Sequence, residues 1–250
     1  MKCELRIHDD SETLGRAVTE ALVDVVERTL EKSDRFTIAL SGGSTPLVIY
    51  RFLAGEFADR VPWEKMHFYW GDERYVPHDD PESNYRLFRE TVMKAVRIPD
   101  ENIHPMPTSR GNPDADASEY EDSMRKDFDA VRPRFDLILL GMGKDGHVAS
   151  LFPGSRALDE KARWVVAVRA DADPPVRLTL TPVVLNAASN VWFIVSGREK
   201  ADILKRVMMG PVDPGRFPAS VVRLPKGGVV WWVDEDAAAA SGLENFPESR

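Results

Sequence analysis

Three short stretches join glycine to hydroxyl, acidic or basic side chains, each directly after an apolar run: Ser41-Gly-Gly-Ser-Thr-Pro46, Gly71-Asp-Glu-Arg-Tyr-Val-Pro77 and Gly141-Met-Gly-Lys-Asp-Gly-His-Val-Ala-Ser-Leu-Phe-Pro-Gly154. The first offers backbone N–H groups and hydroxyls at the expected positive end of a helix, which is a recipe for holding phosphate. Ser41, Gly42, Gly43, Ser44 and Thr45 are therefore candidate phosphate contacts, with a tight, Ser- or Thr-capped turn as the bland alternative. The turn is not a Walker A loop, because no G-x-x-x-x-G-K-[ST] occurs. The second stretch sets Asp72, Glu73 and Arg74 at a strand mouth, where Arg74 would bridge a substrate oxyanion or orient a carboxylate. A solvated charge cluster is the competing reading.

The third stretch opens on G-x-G-x-x-G, the pattern of dinucleotide-binding turns. Such a turn needs a full helix from its last glycine and an acid at the end of the next strand. Here only His147 to Phe152 separate Gly146 from Pro153, so any helix is cut to about one turn. Asp171 lies near the next strand but in Ala170-Asp-Ala-Asp-Pro-Pro175, which reads as a surface loop. A nicotinamide or flavin cofactor is therefore not expected. What remains is Asp145-Gly-His147 on a backbone that lets a ligand approach closely. A structural histidine is the bland reading of His147; if it is catalytic, it would exchange protons near neutral pH, a nearby carboxylate would fix its tautomer, and general-base activation of water is the natural role.

Two further cations stand out. Arg177 opens Arg-Leu-Thr-Leu-Thr-Pro182, and Lys200 lies in Gly197-Arg-Glu-Lys-Ala201 at an expected helix start. Lys or Arg on a surface helix is ordinarily solvated, but a cation at a helix start opposes the dipole, and a bound anion would compensate. His8, His67, His78 and His104 lack the spacing of a metal site, so no metal is expected. A G-x-S-x-G nucleophile elbow is absent. Cys3, the single cysteine, has no partner for an internal disulfide and no expected catalytic role.

The elements that must position these groups follow from periodicity. Helical spacing runs over 11–32, with Ser11 as the expected N-cap, and short apolar strands are expected over 36–40, 66–70, 135–140, 164–168, 191–196 and 229–233. Further helices are expected over 47–57, opening on Pro46, and over 84–96, 118–131 and 198–209, with a loop over 71–77. Strands alternating with helices give a doubly wound, mostly parallel sheet with helices on both faces, organised as a single domain over residues 1–250, with room for a small appended layer. The three glycine-bearing turns then fall at carboxyl ends of strands, where such sheets bind ligands.

The 250-residue chain is 43 % hydrophobic and 30 % charged, as expected of a soluble globular protein, and its net charge of −8 argues against nucleic acid as a partner. The polar N-terminus is not a secretory leader and no run is long enough to span a membrane. The expectation is a cytoplasmic protein, monomeric or a small homo-oligomer, acting on a small anionic molecule.

Taken together, the motifs resemble those of the 6-phosphogluconolactonase family, within the group that includes glucosamine-6-phosphate deaminases. The resemblance rests on the three turns, on Ser83-Asn84, Arg177-Leu-Thr-Leu-Thr181 and Gly197-x-x-Lys-Ala201, and on Trp231-Trp-Val-Asp-Glu235, in family order over nearly the whole chain. It implies a Rossmann-like enzyme that hydrolyses 6-phospho-D-glucono-1,5-lactone to 6-phosphogluconate in the pentose phosphate pathway, without metal or organic cofactor. It implies His147 as the base with Asp145 or Asp72 near it, Ser41–Thr45, Arg177 and Lys200 as phosphate contacts, and Arg74 near the reacting end. Deaminases of the group carry Glu immediately before the Pro of the His motif, whereas this chain has Phe152, which favours the lactonase. A deaminase or isomerase, and a phosphosugar-sensing module without a base, are the alternatives.

Overall fold

The computed structural model of the chain describes residues 2–128, 133–224, 228–239 and 243, with Lys2 described by its backbone only. In chain order the elements are β1 (Lys2–His8), α1 (Ser11–Leu30), β2 (Phe36–Leu40), α2 (Ser44–Ala54), β3 (Met66–Trp70), β4 (Asp72–Arg74), α3 (Asn84–Phe88), β5 (Ile103–His104), α4 (Pro113–Phe128) and β6 (Leu137–Leu140). They continue with β7 (Val165–Arg169), β8 (Val176–Leu180), α5 (Pro182–Leu185), β9 (Asn190–Val195), α6 (Ala201–Met209), β10 (Gly228–Asp234) and α7 (Glu235–Ala238).

The main sheet runs β1-β10-β9-β6-β2-β3-β5, and every pairing in it is parallel. From β2 the chain builds outward through β3 and β5. It then returns to the other side of β2 with β6 and builds outward again through β9 and β10. Strand order therefore reverses between β2 and β6, whose registers join Ile38 to Leu137 and Ala39 to Ile138. At such a reversal the two connections diverge to opposite faces and leave a crevice above the carboxyl ends. Both strands are buried along their whole length, as strands covered on two sides must be. That burial is why they read as unbroken apolar runs.

A second sheet, β4-β8-β7, is antiparallel and hangs from the end of β3. Gly71 makes the join: its N–H donates to the Leu40 carbonyl and its own carbonyl accepts from Leu180, both at 2.8 Å. The segment after Gly71, expected as a loop, is thus a short strand. Asp, Glu and Arg have little strand preference of their own, and pairing with β8 supplies what local sequence does not.

Other boundaries also shift for identifiable reasons. The N-cap of α1 is Asp10, not Ser11: its side chain accepts from the N–H groups of Glu12 (3.0 Å) and Thr13 (2.8 Å), and Thr13 Oγ1 accepts from the Asp10 N–H in return. Helix α2 starts two residues before Pro46, which sits within the first turn, where a missing N–H costs nothing. The helix expected over 84–96 is α only to Phe88, then widens into a π turn over Arg89–Met93. The helix expected from Ser118 begins at Pro113, and its expected end at Val131 lies outside the described residues. Strand β1 was hidden by its charged residues, because it is an edge strand with one solvated face. Among the described residues no helix is long and apolar enough to cross a membrane.

Candidate active site

A cleft of about 240 Å³ opens above the β2/β6 reversal. The turn after β2 forms one wall. Gly43 has φ +103, a conformation that L side chains avoid, and this lets the chain double back into α2. Among the described residues no side chain caps α2, and Ser44 and Thr45 at its start line the cleft. The hydroxyls of Ser44 and Thr45 likewise hold no hydrogen bond among the described residues. The buried Tyr50 hydroxyl anchors the turn from below by donating to the Ser41 carbonyl at 2.6 Å. Asn84 closes it from the side. A Cβ on Gly42 would lie 1.8 Å from the Asn84 side-chain oxygen, so glycine is required there by contact.

The turn after β6 forms the opposite wall. Gly146 has φ +83, and instead of a helix the chain makes a tight turn closed by a bridge between Val148 and Leu151. This folds Asp145 back onto His147. Asp145 Oδ1 lies 2.6 Å from Nδ1 of His147 and also accepts the His147 backbone N–H at 3.1 Å. Burial pushes the Asp145 carboxyl up, but the hydrogen bond and charge of His147 outweigh it and hold the group below its ordinary value. Phe152 packs on the imidazole with ring centroids 4.6 Å apart. With Nδ1 taken by the carboxylate, Nε2 is the nitrogen left for chemistry.

The small sheet supplies the third wall. Arg74 of β4 stands directly opposite Arg177 of β8, two like charges in register. Such a pair is destabilising unless an anion joins it. Arg177 is 8 % exposed and is braced by donation from its Nε to the Pro174 carbonyl at 2.9 Å. Burial and then the neighbouring Arg74 push its pKa below the ordinary value. Arg74 is aimed by its Nη1, which donates to the Glu82 carbonyl at 2.6 Å. Asp72 also lines the cleft, but its Oδ2 is taken by the Ser150 hydroxyl at 2.7 Å. The structure thus brings Asp145, not Asp72, into contact with His147.

Glu73 faces away from the cleft and is fully buried. Its carboxylate accepts from the N–H groups of Arg74 (2.7 Å), Asn84 (2.8 Å) and Tyr85 (2.8 Å) and from the Ser83 hydroxyl (3.1 Å). Burial pushes its pKa up to about 7 against those donors. Glu73 fixes the start of α3 against β4, and with it Asn84 against Gly42.

Lys200 completes the rim. Burial pushes its pKa down, and its ammonium makes no hydrogen bond or ion pair among the described residues. Its turn is tied by Asp234 at the end of β10, which takes the Gly197 N–H at 3.1 Å, the Ala237 N–H at 2.8 Å and the Ser196 hydroxyl. The closing Trp-Trp-Val-Asp-Glu stretch therefore acts on the cleft through this turn.

Of the candidate residues, Ser41 to Thr45, Asp72, Arg74, His147, Arg177 and Lys200 all line this one cleft. Asp145 reaches it only through His147. Nothing local singles out Ser150, Tyr50 or the anchoring role of the Glu73 carboxylate, whose partners lie elsewhere in the chain or on the backbone, nor Lys144, which the fold brings to the cleft. Among the described residues no group of three or more His, Cys, Asp or Glu is arranged to hold a metal ion.

Residues 9–232 match the family model described as glucosamine-6-phosphate isomerases/6-phosphogluconolactonase. A 6-phosphogluconolactonase of Synechocystis is 42 % identical over 226 residues, covering 88 % of this chain and 92 % of that one. One from Mycobacterium tuberculosis is 37 % identical over 246 residues, covering 96 % and 98 %. The crystal structure of 6-phosphogluconolactonase from Thermotoga maritima superposes with a TM-score of 0.81 at 33 % identity, covering 93 % of this chain and all of that one.

Proposed function

We propose, for this chain, which belongs to the glucosamine-6-phosphate isomerase/6-phosphogluconolactonase family, that it hydrolyses 6-phospho-D-glucono-1,5-lactone to 6-phospho-D-gluconate, with His147 as general base. The carrying observation is that His147, paired with Asp145, lines the same cleft as the uncapped start of α2 and the four cations Arg74, Lys144, Arg177 and Lys200.

The 6-phosphate sits on the N–H groups of the 41–45 turn, with Arg177 and Lys200 giving charge-assisted bonds. Burial desolvates both cations, and a bound phosphate would offset that cost. Arg74, opposite Arg177 in the strand register, is assigned to the reacting end. Nε2 of His147 takes a proton from water as its oxygen bonds to C1, and Asp145 stabilises the imidazolium. Arg74 and turn N–H groups meet the charge that develops on the carbonyl oxygen. The C1–ring oxygen bond then breaks, the imidazolium returns its proton to the ring oxygen, and the new acid loses its own proton to solvent.

Phe152 supports the lactonase reading over a deaminase. At this position it presents a ring to the imidazole, not the additional acid that amine-releasing isomerisation requires. His147→Ala tests the role assigned to the base. Removing a positioned base costs about 10²–10⁴-fold in rate, so acid release should fall to near background. Near-normal turnover in that variant, or ammonia release from glucosamine 6-phosphate by the wild type, would overturn the reading.

A further inference from the structure

His147 stands between two clefts. Beyond the one already described, a cleft of about 840 Å³ also borders His147, lined by Lys144, Asp145, Phe152, Arg156, Arg169 and Asp171 among others. Lys144 and His147 line both spaces, so the two adjoin at the base. The second cleft is cationic. The side chains of Lys144, Arg156 and Arg169 make no hydrogen bond or ion pair among the described residues, whereas Asp145 is taken by His147 and only Asp171 opposes them. Three unpaired cations around one opening repel each other, and an anion there would relieve that repulsion.

We infer that this second cleft seats the carboxylate that the reaction creates. The inference rests on the lactonase reading above. Hydrolysis turns an uncharged ester carbon beside His147 into an anion, and it turns a compact ring into an open chain. With the phosphate fixed at the α2 turn, the new charge emerges at the boundary that Lys144 and His147 share. In the first cleft Arg177 and Lys200 are engaged by the phosphate and Arg74 by the carbonyl oxygen, beside the carboxylate of Asp72, while the second cleft offers the uncommitted Arg156 and Arg169. The lactone, uncharged at C1, gains nothing from these arginines. Only the product does, and its cut end is drawn away from the base.

Calorimetric titration separates these possibilities, using 6-phosphogluconate and glucitol 6-phosphate, which carries a hydroxymethyl group in place of the carboxylate. The wild type should bind the acid about three- to tenfold tighter at low ionic strength, since exposed charge pairs are individually weak and fade in salt. Arg156→Glu/Arg169→Glu should abolish that preference, leaving affinity for glucitol 6-phosphate and KM for the lactone unchanged. Equal binding of both ligands by the wild type, or equal weakening of both in the variant, would overturn the inference while leaving the first cleft intact. Failure of the wild type to bind either ligand would instead remove the phosphate-site reading, and this inference with it.

Discussion

An alanine at position 143 would drive its methyl group into the catalytic pair. An ideal Cβ there lies 2.1 Å from Nδ1 and 2.2 Å from Cε1 of His147, and 2.8 Å from Oδ1 of Asp145. Ordinary contact begins at 3.4 Å, so the ring must retreat by about 1.3 Å, the difference from 2.1 Å. The ring is held by the 2.6 Å bond to Asp145 and by Phe152, and the retreat breaks that bond. Gly143 does not have a positive φ, so alanine brings no backbone strain of its own. The His147 side chain is 32 % exposed, and a shift there costs little packing. We expect stability to change by no more than about 1 kcal/mol, or roughly 2–4 °C in Tm for a chain of this size. Misplacing a catalytic group by about 1 Å costs on the order of 10²-fold, so kcat should fall by about that factor. KM should stay within about twofold, because the 41–45 turn, Arg177 and Lys200 are untouched. The assay is stopped-flow proton release from lactone generated in situ, with a melting curve on the same sample. Full kcat in Gly143→Ala, or a KM defect with kcat preserved, would refute the placement of the base.

Lys200→Met should raise KM about 10- to 100-fold by removing a charge-assisted phosphate contact, while the ligand-free protein melts no lower, since the lost charge was desolvated and unpaired. A lower melting point with normal KM would contradict both halves. Asp145→Asn keeps an acceptor for Nδ1–H but removes the charge that stabilises the imidazolium, so kcat should fall roughly 10²-fold with unchanged Tm; unchanged kcat would remove Asp145 from the mechanism. Glu73 gives a pH signature: its folded pKa of about 7 lies above the ordinary 4.5. Its contribution to stability is therefore full below 4.5 and lost as pH rises through about 7. Between pH 5 and 8 the wild type should lose up to about 3 kcal/mol relative to Glu73→Gln in urea titrations, and a constant offset between the two would contradict the assignment.

Much of the site was legible because each wall is a glycine turn following a buried strand, and buried parallel strands are readable as unbroken apolar runs. The denial of a dinucleotide helix by Pro153 was legible for the same local reason, and the chain does turn back at Val148 and Leu151. What local sequence hides is pairing at a distance. Asp72 and Asp145 were equal candidates to lie beside His147, and the turn at Gly146 brings Asp145 to it while Asp72 is bonded to Ser150. Strand β4 was hidden because its stability comes from β8, about a hundred residues later in the chain. Glu73 looked like one more surface charge, yet its partners are backbone N–H groups, which no residue type announces. The N-cap of α1 slipped by one residue because Asp10 and Ser11 are both good caps, and the reciprocal bond with Thr13 decides between them.

The most direct measurement generates 6-phospho-D-glucono-1,5-lactone in situ and follows acid release with and without the wild-type protein, subtracting spontaneous opening. The account predicts release well above background, saturating with lactone and competed by 6-phosphogluconate. Release at the background rate with folded protein would contradict it.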